Sequence, residues 1–183
     1  MQVAALSLGM VFLCCLQAYA EVPVQPDFQD DKIVGQWFSI GTASNSKWFL
    51  DKSFSLTAHT AVINQNADGT LEVNSTYPSA DQCETRSMTL IKTEQPGRFR
   101  ATSPRWVNEH DFRFVSTNYD EYALVYDREA KATDFLTMVT LYGRSKNLRP
   151  ELQEKFKIFS LDQGLPQSSI ITLPQTDKCM TDA

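Results

Sequence analysis

Residues 35–43 read GQWFSIGTA, a short β-strand and the first of a series. Residues 54–64 (FSLTAHTAVIN), 70–77 (TLEVNSTY) and 83–92 (CETRSMTLIK) follow, then 98–103, 112–117, 121–127 and 135–142. The connections hold turn chemistry: Asp68-Gly69, Pro96-Gly97 and Asn118-Tyr119-Asp120. Eight strands on short connections predict an antiparallel meander. A helix comes late. Arg149-Pro150-Glu151 places proline and an acid at its start. Leu152, Phe156 and Phe159 form one apolar stripe, and Gly164 with Pro166 stops it. The stripe predicts packing against the outside of a sheet. Residues 168–173 (SSIITL) make one more candidate strand. Such a meander closes into a sandwich or a barrel, and periodicity does not choose. An eight-stranded barrel is about wide enough for one small ligand.

Composition narrows the class. Residues 1–20 carry no charged side chain, with an apolar run from Val3 to Leu16 and then Ala18-Tyr19-Ala20. This reads as a secretory signal peptide, the run being short for a membrane span. Residues 21–183 are then one domain of a secreted, extracellular protein without a membrane anchor. A net charge of −5 with no basic cluster argues against nucleic acid as a partner. Removal of the signal takes Cys14 and Cys15. Cys83 and Cys179 remain, and in an oxidising compartment they most simply form one disulfide across 96 residues. The chain-entropy model gives such a loop about 4–5 kcal/mol. Two thiols and two distant histidines do not make a zinc site, so neither metal nor cofactor is expected. Asn74-Ser75-Thr76 is a glycosylation sequon.

Three motifs carry a resemblance. Gly35-Gln36-Trp37 near the start, Thr117-Asn118-Tyr119-Asp120-Glu121-Tyr122, and Leu141-Tyr142-Gly143-Arg144 resemble, in order, the three signatures of the lipocalins. Residues 24–28 (VQPDF), 43–46 (ASNS), 82–86 (QCETR) and 173–180 (LPQTDKCM) are similar to the lipocalin-type prostaglandin D synthase branch. The resemblance implies an all-β fold, an eight-stranded antiparallel up-and-down barrel with one C-terminal helix packed outside. It implies that Gly35, Trp37, Tyr119 and Arg144 maintain that fold, Arg144 stacking on Trp37 to close the narrow end. It also matches Cys83 and Cys179 to the disulfide of that branch.

That branch contains an isomerase, which converts the prostaglandin endoperoxide with a cavity cysteine on the second strand. Counting without gaps from Asp51-Lys52 and from Asp68-Gly69 brings that position to His59. Attack on a peroxide oxygen favours a soft, polarisable thiolate, which an imidazole does not replace. No catalytic residue is therefore assigned, and the isomerase is kept as the alternative function. Four roles are open to His59: a hydrogen bond to a polar ligand end, charge complementarity to a carboxylate at mildly acid pH, a satisfied polar residue, or catalysis. The resemblance turns it inward, and alternation then brings Thr57 and Ala61 to the same face. His110, in Asn108-Glu109-His110-Asp111, is expected in solvent.

The implied function is carriage of small lipophilic molecules in the barrel: retinoids first, bile pigments and fatty acids next. Candidate wall residues are Phe54, Leu56, Met88, Leu90, Phe112, Phe114, Leu124, Met138 and Tyr142, of which alternation turns about half inward. Trp48 and Trp106 sit in the connections expected at the mouth, where an exposed Trp48-Phe49-Leu50 run is suited to a lid. Lys47 and Arg105 beside them would attract a ligand carboxylate. An unidentified receptor is a further candidate partner, and a monomer is expected.

Overall fold

The computed structural model describes residues 21–80, 82–131 and 135–179. The signal-peptide reading of residues 1–20 lies outside the described residues. In chain order the elements are α1 (Asp30–Ile33), β1 (Gly35–Ser44), α2 (Lys47–Lys52), β2 (Thr60–Gln65), β3 (Leu71–Ser79), β4 (Gln82–Lys92), β5 (Arg98–Thr102), β6 (His110–Thr117), β7 (Tyr122–Ala130), β8 (Phe135–Gly143), α3 (Pro150–Asp162) and β9 (Ile170–Thr172). Strands β2 to β8 pair antiparallel in sequence order. Strand β1 closes the sheet because it pairs with both the first and the last strand of that order, β2 and β8. Gly35–Phe38 pair with β2, and Phe38–Ser44 pair with β8 across a register shift between Ser39 and Gly41. The expected eight-stranded antiparallel barrel results, with β9 added outside along Gly41–Ala43.

Two apolar layers follow from strand alternation. Inside the barrel, Ile33, Trp37, Leu71, Leu90, Phe99 and Phe114 are buried together. Outside, Ile40, Leu124, Val139 and Leu141 pack against Leu152 and Phe156 of α3. Helix α3 starts at Pro150, and Gly164 follows it at φ +78°, as its sequence signals require. Its approach to the barrel needs Gly41. A Cβ there would stand 2.8 Å from Phe156 Cε1 and 3.2 Å from the Ile171 carbonyl.

The narrow end is closed by side chains. Trp37 Nε1 donates to the Ile33 carbonyl at 2.8 Å. The Arg144 guanidinium lies 3.8 Å from the Trp37 ring centre and donates to the carbonyls of Lys32, Val34, Gln36 and Tyr119. Strand β1 runs away from this end, so α2 and the β5–β6 connection lie at the other, open end. Cys83 and Cys179 are joined, with Cα atoms 5.6 Å apart, and tie the C-terminal tail to the head of β4.

Several boundaries differ from the sequence reading: β7 runs on to Ala130, β9 shortens to Ile170–Thr172, and the starts of β2 and β6 move. Residues 54–59 are not part of β2, which begins at Thr60, where pairing with Phe38 of β1 begins. The chain upstream crosses the open end as α2, capped by Ser46 Oγ accepting from Phe49 N, and a 3₁₀ turn at Ser53–Ser55. Thr57 is consequently exposed rather than turned inward with Ala61. Strand β6 starts at His110, two residues before the expected Phe112.

Candidate functional site

The barrel interior divides at Met88, Phe112, Val125 and Tyr142, which line both parts. The rest of the lower wall is Trp37, Ala61, Ile63, Val73, Phe114 and Ala123. This lower part is packed, leaving about 10 Å³ of free space, roughly one water. Above it an open chamber of about 660 Å³ reaches solvent. Trp48 and Trp106 stand in its wall, with Tyr77, Met138 and Thr140. Its volume falls in the range of small-molecule sites, ~300–1,000 Å³. Trp37 and Trp106 thus face the interior, and Trp48, though half-exposed, borders the chamber at its mouth.

The chamber carries charge at its rim. Arg86 and Arg105 both line it, and both pair with Glu84, at 3.2 and 2.9 Å. The hydrogen bond from Arg86 and the two positive charges hold the Glu84 carboxyl below the usual range. Glu84 balances one of the two guanidinium groups, so the rim keeps a positive surplus. A second polar group lies across the chamber. His110 Nδ1 is 2.9 Å from Asp127 Oδ2, and the His110 ring stacks on Trp106 with centroids 3.9 Å apart. Burial pushes the Asp127 carboxyl up, opposed by the hydrogen bond from His110.

His59 stands in neither chamber wall. Its ring stacks on Tyr77 at 4.3 Å and meets Tyr142 edge-on at 5.9 Å, and these two tyrosines line the chamber. Its backbone N–H donates to Ser39 Oγ at 2.8 Å, and its carbonyl accepts from Ser39 N at 2.9 Å. Burial first, and then the Arg86 charge, push the imidazole down to about 4. Of the four roles open to His59, this speaks against charge complementarity to a carboxylate, since the imidazole is then neutral at mildly acid pH. The sign of the pH effect follows. Between about 4 and 6.5 the unfolded chain binds a proton that the folded chain refuses, so stability is complete above 6.5 and is lost as pH falls towards 4. The full shift corresponds to about 3 kcal/mol. Urea unfolding at pH 7 and pH 4 is expected to show wild type losing about 3 kcal/mol more than His59→Phe. Equal losses in the two proteins would contradict the buried neutral histidine.

The other expected wall residues separate clearly. Trp48, Trp106, Met88, Met138 and Tyr142 line the upper chamber, while Phe114 lies in the lower part. Phe54 is corrected to an exposed position, because the chain there has not yet entered β2. Leu56 is half-buried against the outer layer, and Leu124 is buried in that layer under α3. Leu124 faces outward because its neighbours Ala123 and Val125 take the inner face of β7. Lys47 pairs with Asp51 outside the chamber, whereas Arg105 does line it. His110 is corrected from solvent to the chamber wall, since β6 begins with it and it shares the inward parity of Phe112 and Phe114. Arg86 and Tyr77 were missed, though period two from Met88 and from Val73 places them on the inner face. Asn74 lies between inward Val73 and Ser75, hence on the outer face of β3.

Comparison with known proteins agrees with this architecture. The model of the lipocalin / cytosolic fatty-acid binding protein family matches residues 34–177, and the chain belongs to the lipocalin family, whose members bind small lipophilic ligands. It is 51% identical to a lipocalin of Rhinella marina, over 97% of each chain. It is 44% identical to the prostaglandin-H2 D-isomerase of Canis lupus familiaris, over 96% of this chain and 95% of that one. Among solved structures, the siderocalin Ex-FABP, described as functioning through dual ligand specificities, superposes with a TM-score of 0.72 at 25% identity, over 82% of this chain and 99% of that one.

Proposed function

We propose that the protein is a secreted carrier of small lipophilic molecules with an acidic end, retinoids of the retinoic-acid kind first, bile pigments and fatty acids next. One observation carries this reading: an aromatic- and methionine-walled chamber of about 660 Å³ with Arg86 and Arg105 on its rim. The tryptophans and methionines suit a flat or flexible apolar body. The surplus guanidinium charge suits a carboxylate at the mouth. The apolar lower part suits the far end of the ligand, provided Met88 and Tyr142 shift. Secretion agrees with the disulfide and with the leader-like first twenty residues. Asn74, outward on β3, is accessible to a glycan.

Competition between acid and alcohol tests the polar end. Arg86→Gln with Arg105→Gln is expected to weaken retinoic acid about three- to tenfold and to leave retinol unchanged, the modest factor reflecting the partial exposure of both groups. Equal weakening of both ligands would remove the carboxylate from the rim.

The mammalian isomerase relatives favour a second reading, the prostaglandin D isomerase. Against it stands the chemistry of position 59, where resemblance places a thiol and the chain has histidine. Both cysteines among the described residues are spent in the disulfide. Turnover of the prostaglandin endoperoxide by the purified protein, abolished in His59→Phe, would restore that reading.

A further inference from the structure

We propose that the open end of the barrel docks on a phospholipid surface bearing anionic headgroups, through α2, the turn after it and the β5–β6 connection. Exposed apolar side chains concentrate at this end. Trp48 is 58% exposed, Leu50 46%, Phe54 86% and Val107 97%. The first three lie within seven residues of one another, and Val107 follows the chamber tryptophan Trp106. Among the described residues, the remaining large exposed apolar side chains are Val62 on β2, Phe135 on β8 and the pair Ile158 and Leu161 on α3. A patch of this composition is costly in water unless something covers it.

Charge indicates what covers it. Lys47, Lys52, Arg86 and Arg105 stand at this end against Asp51, Glu84 and Glu109, the last paired with Arg100 of β5, while the whole chain carries −5. Lys47 is held by Asp51 at 3.0 Å, and Glu84 is shared between the two arginines. The end with the exposed tryptophan and phenylalanine is therefore locally cationic on an acidic protein. Aromatic side chains beside lysine and arginine suit the headgroup region, where the rings seat at the interface and the cations meet phosphate and carboxylate. The patch is continuous with the chamber wall, because Trp48 belongs to both. A lipophile leaving the bilayer would enter the chamber without crossing water. That last step rests on the carrier reading. The docking does not.

The test uses the protein without added ligand and phosphatidylcholine vesicles made with and without phosphatidylserine. Co-flotation and quenching of tryptophan emission by brominated acyl chains are read together. Wild type is expected to partition onto the vesicles with phosphatidylserine, less so at high salt, with its emission quenched. Phe54→Ser with Val107→Ser is expected to lower the partition about tenfold or more, and to leave retinoic acid binding in vesicle-free solution unchanged. Both side chains are exposed and outside the chamber, so the variant keeps fold and cavity. Absence of partition at low salt, or equal partition by the variant, would overturn the proposal. So would a dimer in solution that the double variant abolishes, since a second copy would then be the occupant. Vesicle binding that survives without retinoic acid binding counts against the carrier reading alone, and the converse against docking alone.

Discussion

Replacing Cys83 and Cys179 by alanine is expected to lower stability by about 4 kcal/mol, or roughly 10 °C in Tm for a chain of this size, without changing the native barrel. The bond spans 96 residues, from the head of β4 to the C-terminal tail. Cross-links across long loops act mainly on the unfolded chain, whose ends they hold together. The native tail has its own attachments. Leu173 N donates to the Ile40 carbonyl at 2.8 Å, Ala58 N to the Pro174 carbonyl at 3.0 Å, and Lys146 pairs with Asp177 at 2.8 Å. These contacts keep the tail on the barrel when the sulfurs are gone. Urea unfolding should then show a lower midpoint, with far-ultraviolet dichroism in buffer unchanged. A loss below about 1 kcal/mol would mean that the unfolded chain is already compact around this pair.

Trp37→Ala is expected to cost about 3–5 kcal/mol, the range for removing a large aromatic side chain from a packed core. Trp37 is fully buried and supports three neighbours at once. Its indole N–H satisfies the Ile33 carbonyl, its ring carries the Arg144 guanidinium at 3.8 Å, and its other edge forms part of the lower cavity wall. Truncation leaves a void, an unpaired carbonyl and an arginine without its stacking surface. Trp37→Phe keeps most of the volume and loses the hydrogen bond, so a cost of about 1–2 kcal/mol is expected. Chemical denaturation of the two variants beside wild type separates these contributions. Indistinguishable midpoints for Trp37→Ala and Trp37→Phe would show that the void is filled by collapse of the narrow end.

How much of this was legible differs from residue to residue. The strand count, the turns and the helix from Pro150 to Gly164 were legible because proline, glycine and aspartate act locally. Closure of the barrel was legible only through the three motifs that resemble the lipocalins; periodicity could not supply it, since it depends on β1 pairing with both β2 and β8. The start of β2 was misread for the same reason: Phe54, Leu56 and Thr57 suit a strand, but no partner strand reaches them. Leu124 was misplaced because β7 is apolar on both faces, the outer one lying under α3, so alternation had no polar phase to follow. Arg86, His110 and Asp127 were passed over for the opposite reason. They are polar residues on an inner face, where a hydrophobic pattern predicts none, and counting in twos from Met88, Phe112 and Val125 finds them.

The central claim, that the chamber receives a lipophile, is tested most directly by titrating the protein with all-trans retinoic acid while following tryptophan emission. With Trp37, Trp48 and Trp106 all lining the interior or its mouth, a bound polyene is expected to quench most of the emission, saturably and at one ligand per chain. Trp48→Phe and Trp106→Phe should each remove part of the quenched signal while leaving the stoichiometry at one. Linear, unsaturable quenching, or saturation that none of the three tryptophans reports, would contradict a ligand seated in this chamber.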